Sequence, residues 1–397
     1  MAIEIRVPTL EEWPAVCYAD ARAFGVGFTP EDIDDRLKMH DLGRFRVAFD
    51  DGHIVGVAAS YAMDVSLPGG AIVPMGGVTW VSTAATHRRQ GLMRRVVGAV
   101  HDDIGARGEP VASLYAAEGG IYEHLDYGIA TQVRVTSIDP RLTRIRPAYR
   151  SPAGAVRFVD GGDVVPAVSA IWDRFRKQRA GETERRADTQ QFLFEQRDKE
   201  AGPQSPALYL RHEDGYAAYR MEERWNDGQP AHTLHLIELA ALTPDAHAAL
   251  WQTLLGVDLV GEIRSRNIPI DDPLPFLLEN PRALRTRDLN DGVWVNVRDI
   301  PACFGARTYR TSDRIVVEVD GKRWAIDGGP DGASCAAVRA RPDLVTSHAW
   351  FSSLLYGGVL PSALVAGRRM TACDADVLAR ADRFFTTSLA PHCQDMY

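Results

Sequence analysis

The first hundred residues alternate between the hydrophobic periods of strands and helices. Residues 3–7 place apolar side chains at every second position, which predicts a half-buried strand, and Thr9–Glu12 has the spacing of a helix capping box. Residues 45–49 and 54–63 predict two antiparallel strands around an Asp-Asp-Gly turn. Residues 76–83 predict a further strand, which leads into a basic loop.

A helix and a buried strand follow the basic loop. Apolar residues recur at helical spacing from Leu92 to Ile104, and Gly105 and Gly108 mark the end of this amphipathic helix. Residues 110–116 are short, apolar and β-compatible, so they predict a buried strand beside the previous one. The helix is then the crossover of a βαβ unit.

The same order of elements begins again after a linker. Residues 139–154 contain three prolines and little periodicity, which is typical of a linker. Residues 156–159 and 164–175 then repeat the first strand and helix, and residues 242–256 resemble the basic loop with its helix. This pattern predicts a duplicated domain.

The second copy differs from the first at the loop. Asp245 stands there, with no glycine at the matching position, whereas the first copy has Arg88, Arg89 and Gly91. A phosphate would be repelled by the aspartate rather than bound. We therefore predict that the second copy keeps the fold and has lost the cofactor.

A third region begins near residue 288. Residues 309–319 and 323–326 flank an Asp-Gly turn and predict a hairpin. Residues 345–354 and 374–388 predict two helices. The composition of this region indicates no reaction.

Composition and charge narrow the class of protein. The 397 residues suffice for two or three domains, and 45% hydrophobic with 25% charged residues is typical of globular proteins. The net charge of -8 argues against a nucleic-acid partner. Five scattered cysteines favour reduced thiols and no metal. No apolar run reaches the roughly eighteen residues of a membrane helix, so a cytoplasmic protein without a membrane partner is expected.

The basic loop has the chemistry of a pyrophosphate site. It lies at a strand-to-helix junction, where orphaned backbone N–H groups and the positive end of the helix dipole favour anions. Gly91 lets the backbone approach phosphate oxygens closely, while Arg89 and Arg94 add charge-assisted hydrogen bonds. A solvated basic turn before a surface helix is the alternative.

A tyrosine follows the next strand in a position suited to acid catalysis. Glu118-Gly-Gly-Ile-Tyr122 begins a short helix that ends near Gly128. A phenol with a pKa near 10 stays protonated at neutral pH and can return a proton to a leaving thiolate. A packing aromatic is the alternative interpretation of Tyr122.

Together these motifs resemble the GNAT N-acetyltransferase superfamily, whose phosphate loop reads Arg/Gln-x-x-Gly-x-Gly/Ala and whose later signature is Tyr-x-x-x-Gly-Phe. The loop here runs from Arg88 to Met93, and the signature from Tyr122 to Tyr127. More narrowly, VSTAATHRRQGLMRR and AAEGGIYEHLDYG, with DGYAAYR and DPLPFLL further on, resemble the Eis (enhanced intracellular survival) acetyltransferases along essentially the whole chain.

This resemblance implies a fold and an activity. The fold is α/β (α+β), with a catalytic GNAT domain at 1–140, a degenerate second GNAT domain at 141–287 and a sterol-carrier-like domain at 288–397. The activity is transfer of acetyl from acetyl-CoA, without a metal, to amines of aminoglycoside-like polyamines, at several positions, by a homohexamer. A lysine or peptide acetyltransferase, or a non-catalytic CoA- or lipid-binding assembly protein, remains the alternative.

The resemblance also assigns roles to residues. The general acid is Tyr122, and the general base is the α-carboxylate of the last residue, Tyr397. Without the resemblance, Tyr397 is an ordinary frayed terminus. The cofactor would contact three segments, at the end of the strand, in the loop and after the next strand: Val81, Ser82, Thr83, Arg89, Gln90, Gly91, Leu92, Met93, Arg94, Ala117 and Glu118.

An acidic segment lies in the region where the family lines its acceptor pocket. Phe28 is followed by Glu31, Asp32 and Asp35, whose charges would attract a polycation by long-range steering. The alternative is the start of a solvated helix, where acidic residues favour the helix dipole in any case.

Overall fold

The computed structural model describes residues 3–185 and 202–397 and divides into two compact units. Unit 1 contains the residues up to Ala130, Val293–Ser388 and Asp395–Tyr397. Unit 2 contains Thr131–Gly292 and Leu389–Gln394. Unit 2 is therefore an insertion in the chain of unit 1, and the C-terminal tail passes through unit 2 before it ends in unit 1.

The strands of the described chain are numbered in order: β1 (Glu4–Arg6), β2 (Phe45–Asp50), β3 (His53–Ser66), β4 (Ile72–Thr83), β5 (Val111–Tyr115), β6 (Gly128–Ile129), β7 (Gln132–Ile138), β8 (Arg157–Val159), β9 (Leu208–His212), β10 (Gly215–Glu222), β11 (Trp225–Asn226), β12 (Gln229–Pro230), β13 (His232–Ala241), β14 (Val260–Pro269), β15 (Leu284–Asp291), β16 (Val293–Val297), β17 (Asp313–Val319), β18 (Lys322–Gly329), β19 (Gly332–Ala337), β20 (Leu344–Thr346) and β21 (Met370–Ala372).

The α-helices of the described chain are numbered likewise: α1 (Trp13–Phe24), α2 (Pro30–Met39), α3 (Leu92–Ala106), α4 (Gly119–Tyr122), α5 (Val164–Phe175), α6 (Pro244–Leu255), α7 (Leu274–Leu277), α8 (Ile300–Ala306), α9 (His348–Ser352), α10 (Pro361–Ala366) and α11 (Ala375–Phe385).

Unit 1 is built on a mixed seven-stranded sheet in the order β1-β2-β3-β4-β5-β16-β6. The parallel pair is β4 and β5, which flank α3 in the chain and so form a βαβ unit. Helix α3 covers one face of the sheet with Val96, Val100 and Ile104. On the other face Trp13 of α1 and Ile33 of α2 pack over the sheet. Strand β16 pairs antiparallel with both β5 and β6.

A second sheet in unit 1 has five strands in the order β19-β18-β17-β20-β21. Arg307, fully buried beside it, donates hydrogen bonds to the carbonyl oxygens of Leu354, Leu355 and Phe385 at 2.6 to 2.8 Å. These carbonyls lie just after α9 and at the end of α11, where backbone acceptors have no partner within the helix. One guanidinium thus joins two helix ends.

Unit 2 repeats the architecture with a seven-stranded sheet in the order β15-β7-β14-β13-β10-β9-β8. Its parallel pair is β13 and β14, on either side of α6 in the chain. Helix α6 packs Leu250 and Trp251 into the core beneath that sheet. The duplicated βαβ unit predicted from the sequence is therefore confirmed.

The predicted start of the first helix was wrong by one turn. Helix α1 begins at Trp13, and Thr9 does not cap it. Only half of the expected box forms, because the Glu12 carboxylate accepts the Thr9 N–H at 2.8 Å. Pro14 explains the shift, since proline fits the first turn of a helix, where its missing N–H costs nothing.

A predicted helix near the C-terminus was also wrong at its start. Leu344–Thr346 forms β20, and the helix α9 runs only from His348 to Ser352. Strand β20 pairs in parallel with β17 and antiparallel with β21. The spacing of apolar residues in residues 345–354 predicted a helix, but it carries no information about pairing with distant strands. That pairing determines the conformation here.

Replacement of Arg307 tests how far unit 1 depends on the buried guanidinium. We expect Arg307→Lys to lower the free energy of unfolding by about 3 kcal/mol, because one ammonium cannot reach three carbonyls that remain buried. Urea unfolding followed by circular dichroism measures the change. Arg310→Lys, at an exposed position, is the matched control and should stay within about 0.5 kcal/mol of the parent. Equal effects would contradict this role of Arg307.

Candidate active site

A bulge in β4 is the geometric centre of the site. Val57 of β3 pairs with Ser82 and Ala59 pairs with Thr79, so two residues of β4 oppose Ala58 alone. Trp80, within this bulge, has a φ of 55°. A tryptophan in the left-handed region is strained by about 1–3 kcal/mol, and such strain is concentrated at functional sites. Bulges also re-aim strands next to active sites.

Strand β4 separates from β5 just before the bulge. The parallel pairing covers Met75–Gly77 against Val111–Ser113 and goes no further, although β4 continues to Thr83. In the described part of the chain, no strand pairs with β4 on that side beyond Gly77. The N–H and C=O groups near Val81 are thus available to an extended ligand, which would add as another strand does. Val81, Ser82 and Thr83, which were predicted to contact the cofactor, lie on this edge.

The N-terminus of α3 lies at the end of β4. Gly91 is the N-cap residue with a φ of 74°, and a Cβ built on it would meet no atom within 4 Å. Because glycine brings no side-chain acceptor, the first N–H groups of this 15-residue helix point to an open space. Arg89 also has a positive φ of 63°, and Arg89, Gln90 and Arg94 are exposed. The loop can therefore wrap an anion.

The matching helix of unit 2 begins differently. Thr243 is the N-cap residue of α6 and its hydroxyl accepts the Ala246 N–H at 3.2 Å, with Asp245 in the first turn. A backbone donor is thus already satisfied, and the local charge is negative. The N-terminus of α6 thus offers fewer open donors than that of α3, and the loss of the cofactor in the second copy stays a prediction.

Tyr122 ends helix α4 and is buried, with 4% of its surface exposed. Burial, with a smaller effect from the charge of Glu118, raises the pKa of the phenol above its ordinary value. Its ring meets the ring of Tyr127 edge-on, with centroids 6.1 Å apart. Within residues 3–185 and 202–397, the Tyr122 hydroxyl makes no hydrogen bond. Ala117 and Glu118, before α4, are exposed.

The ring of Tyr127 is itself held from behind. Its hydroxyl lies 2.7 Å from Nε2 of His101, and both side chains are buried. Burial lowers the pKa of His101 to about 3, so the imidazole is neutral at neutral pH. The Tyr127 N–H also bonds the Tyr122 carbonyl at 3.1 Å. This support of the candidate acid was not predicted from the sequence, although His101 is polar in the apolar stripe of α3.

The last residue of the chain reaches the point where β4 and β5 part. The hydroxyl of Tyr397 lies 2.6 Å from Oγ of Ser113, and its ring meets that of Tyr115 edge-on at 5.6 Å. Ser113 and Gly77 form the last pair of the parallel ladder. Tyr122 follows the end of β5 by seven residues, and both predicted catalytic tyrosines belong to unit 1.

The predicted acceptor residues are engaged in part with their own helix. Thr29 caps α2 in a true capping box, in which the Asp32 carboxylate accepts the Thr29 N–H at 2.8 Å. Asp35 is buried and lies 2.8 Å from the ammonium of Lys38. Glu31 is exposed. The helix-start interpretation therefore accounts for Asp32, and the acidic segment is less available to a ligand than its sequence indicates.

Phe28 lies beside a charged group that the sequence did not single out. The guanidinium of Arg36 covers the Phe28 ring at 4.1 Å and lies 5.8 Å from the Trp80 ring. Asp20, which interacts with the same guanidinium, is buried, and desolvation raises its pKa to about 6 against the opposing effects of the Ser82 hydroxyl and Arg36. An aspartate in the apolar stripe of α1 is the signal that could have drawn attention to it.

The described residues contain neither a membrane-spanning helix nor a cluster of metal-binding side chains. No helix in residues 3–185 and 202–397 has the length and apolarity needed to cross a bilayer. Within the same ranges, no group of three or more His, Cys, Asp or Glu side chains is arranged to hold a metal ion.

The buried pair behind Tyr122 should make unfolding sensitive to acid. The pKa of His101 in the folded protein, about 3, lies below its ordinary value of 6.5. Above about pH 6.5 the imidazole is neutral in both states and costs no unfolding free energy. As the pH falls toward 3, only the unfolded state binds the proton, so the free energy of unfolding decreases. His101→Gln keeps a hydrogen-bond acceptor for Tyr127 and removes the titration. Between pH 6.5 and 4 we expect the variant to lose about 3 kcal/mol less unfolding free energy than the parent.

Urea unfolding at several pH values measures the difference. His53→Gln, at an exposed position, is the control and should follow the parent curve. Parallel curves for the parent and His101→Gln would contradict the neutral, buried state of His101.

Comparisons with known families agree with this geometry. Two family models, each described as an acetyltransferase (GNAT) domain, match residues 4–130 and 170–298. The matches cover the two βαβ units described above. The tandem GNAT fold predicted from the sequence is thus confirmed.

Relatives known from sequence and from a crystal structure span nearly the whole chain. The N-acetyltransferase Eis of Mycobacterium tuberculosis is 32% identical over 400 residues, which are 98% of each chain. An uncharacterized N-acetyltransferase of Streptomyces avermitilis is 31% identical over 98% of each chain. The crystal structure of Eis1 from Mycobacterium abscessus superposes with a TM-score of 0.88 at 30% identity, covering 99% of this chain and all of that one. The chain belongs to the Eis family of GNAT N-acetyltransferases.

Proposed function

We propose that this N-acetyltransferase moves the acetyl group of acetyl-CoA to amines of aminoglycoside-like polyamines, at more than one position. The observation that carries the proposal is the edge of β4 left unpaired beyond Gly77, followed in the chain by the uncapped N-terminus of α3, with Tyr397 against Ser113 at the last rung of the ladder. Membership of the family supports acetyl-CoA as the cosubstrate.

The residues of unit 1 fit the parts of coenzyme A. The pyrophosphate would lie at the N-terminus of α3, held by backbone N–H groups from Gly91 to Met93 and by the side chains of Arg89 and Arg94. The pantetheine arm would pair with the free edge of β4 at Val81. That places the thioester toward Gly77 and Ser113, where the two strands part.

The chemistry requires a base before attack and an acid after it. The α-carboxylate of Tyr397 would take a proton from the acceptor ammonium, directly or through water, and the free amine would attack the thioester carbonyl carbon. A backbone N–H near the end of β4 would bind the oxyanion. The C–S bond then breaks, and the Tyr122 hydroxyl gives its proton to the thiolate. The products are the N-acetyl amine and coenzyme A.

The ionisation of Tyr122 supports its part in this scheme. Burial and the nearby Glu118 raise the pKa of the phenol, so it stays protonated when the acceptor amine must be neutral. Its hydroxyl makes no hydrogen bond to any of the described residues. An acid with a pKa near that of an alkyl thiol or above it donates only once the thiolate has formed.

The acceptor would enter over α1 and α2. Phe28 and Trp80 offer aromatic faces there, while Asp20 and the acidic residues of α2 favour a cation. Arg36 lies over both rings, so an acceptor ammonium would have to use the carboxylates rather than the rings. A hydroxylated polyamine, whose several ammonium groups can each meet a carboxylate, satisfies that condition.

The domain boundaries, the oligomeric state and the cellular location are also proposed. The division into a catalytic domain at 1–140, a second GNAT domain without cofactor at 141–287 and a sterol-carrier-like domain at 288–397 stays a prediction, as do the homohexamer and the cytoplasmic location. The closed N-terminus of α6 supports loss of the cofactor in the second domain. Light scattering of the purified chain would give the oligomer size.

A panel of acceptors tests the function. Release of free thiol from acetyl-CoA would be followed with aminoglycosides, linear polyamines and lysine peptides, and mass spectrometry would count the acetyl groups. We expect turnover with aminoglycosides and more than one acetyl group. Turnover with lysine peptides alone would instead establish the peptide acetyltransferase, and no release with any amine would favour the non-catalytic assembly protein.

Loss of the phenol hydroxyl tests the acid. Tyr122→Phe should lower kcat by about two orders of magnitude, because the thiolate must then leave without a proton donor. The acetyl-CoA Kd from calorimetry should stay within about twofold, since the ring remains. Tyr18→Phe, on an exposed tyrosine of α1, is the control. An unchanged kcat in Tyr122→Phe would remove Tyr122 from the mechanism.

Extension of the C-terminus tests the base. Two glycines after Tyr397 move the carboxylate by several ångströms, so kcat should fall by about a hundredfold while acetyl-CoA still binds. The same two residues added at the N-terminus should have no effect. If the C-terminal extension turns over at the parental rate, another group is the base.

A further inference from the structure

The side chain of the last residue anchors the end of this chain to the sheet of unit 1. Just before it, the tail backbone is held at Cys393 and Gln394, whose carbonyl oxygens accept hydrogen bonds from Asn267. Chain ends are poorly ordered unless something holds them. Met396, next to the end, is 76% exposed and contributes no anchor of its own. Tyr397, in contrast, lies with its phenol 2.6 Å from Oγ of Ser113, a residue of β5 with no exposed surface.

The direction of this hydrogen bond follows from a second contact. Oγ of Ser113 also lies 2.9 Å from Sδ of Met75, which accepts only. A serine hydroxyl carries one proton, so both contacts are met when Ser113 donates to the sulfur and accepts from the phenol. Tyr397 thus donates its hydroxyl proton to Ser113 in the sheet.

The space for the ring is also built into the sheet. A Cβ on Gly77 would lie 2.9 Å from Cδ2 of Tyr397 and 2.6 Å from Sδ of Met63, so only glycine leaves room for the ring there. The Tyr115 ring closes another side at 5.6 Å. Gly77 and Ser113 are the last paired residues before β4 and β5 separate.

We propose that Ser113 is the positioning residue of the reacting carboxylate: it holds the phenol of Tyr397 on the last rung of the β4–β5 ladder and so sets where the α-carboxylate lies. This inference rests on the proposed function, in which that carboxylate is the base. The side chain of the last residue and its main-chain carboxylate then act together, one as the anchor and the other as the proton acceptor.

A double-mutant cycle tests the coupling. Ser113→Ala and Tyr397→Phe each remove the hydrogen bond and keep the ring and the terminal carboxylate. Each should lower kcat by about tenfold, the usual scale for a misplaced catalytic group, while the acetyl-CoA KM stays within about twofold. The double variant should be no slower than either single variant, because both act through one contact. Ser66→Ala, another fully buried serine of the same sheet, is the matched control.

A second readout does not require turnover. A carboxypeptidase should remove Tyr397 from Ser113→Ala about ten times faster than from the parent, since cleavage follows the population of the open terminus. Faster trimming with lower kcat supports the inference. Equal trimming overturns the anchor, and faster trimming with unchanged kcat, or additive losses in the cycle, overturns the positioning role.

The failure of the proposed function would look different. If the parent transferred no acetyl group, or tolerated the C-terminal extension, the terminal base would be wrong and the catalytic part of the inference would fall with it. The trimming rates of the parent and Ser113→Ala would still decide whether Ser113 anchors the terminus.

Discussion

The site depends on one interruption of hydrogen bonding, the point after Gly77 and Ser113 where β4 and β5 stop pairing. A parallel ladder that continued would satisfy the backbone of β4 and leave nothing for a ligand. The bulge at Trp80 turns β4 away, with a strained φ of 55° as its cost. The free edge of β4 begins at this opening, the N-terminus of α3 follows β4 in the chain, and the phenol of Tyr397 contacts Ser113 at the last rung of the β4–β5 ladder.

In the two copies of the βαβ unit, the helices differ at their N-termini in whether the first backbone N–H groups are satisfied by a side chain. Helix α3 starts at Gly91, which offers no acceptor to its own backbone, whereas α6 starts at Thr243, whose hydroxyl satisfies the Ala246 N–H. The dipole favours an anion at either end. Only the first leaves its donors open and carries no acidic residue in the first turn, so the same fold gives two different surfaces.

Burial sets the protonation states around Tyr122 and Tyr127. Tyr122 keeps its proton because burial disfavours the charged phenolate, and His101 behind Tyr127 stays neutral because burial disfavours the charged imidazolium. Asp20, also desolvated, has a pKa raised to about 6 and lies under the Ser82 end of β4. These shifts arise from packing of α1, α3 and α4 on the sheet, and none of them is a property of the residues alone.

The sequence by itself determined the tandem fold, the family and the loop from Arg88 to Arg94, because periodicity, glycine placement and motif spacing are local. It misplaced the start of α1 and the strand β20, since caps and long-range pairings compete with local period. It did not show that the carboxylates of Asp32 and Asp35 are engaged locally, with the Thr29 N–H and the Lys38 ammonium. Only the tertiary structure decided which groups meet. Ser113 and Tyr397 are 284 residues apart, and their contact exists because a sheet and a returning tail bring distant parts of the chain together.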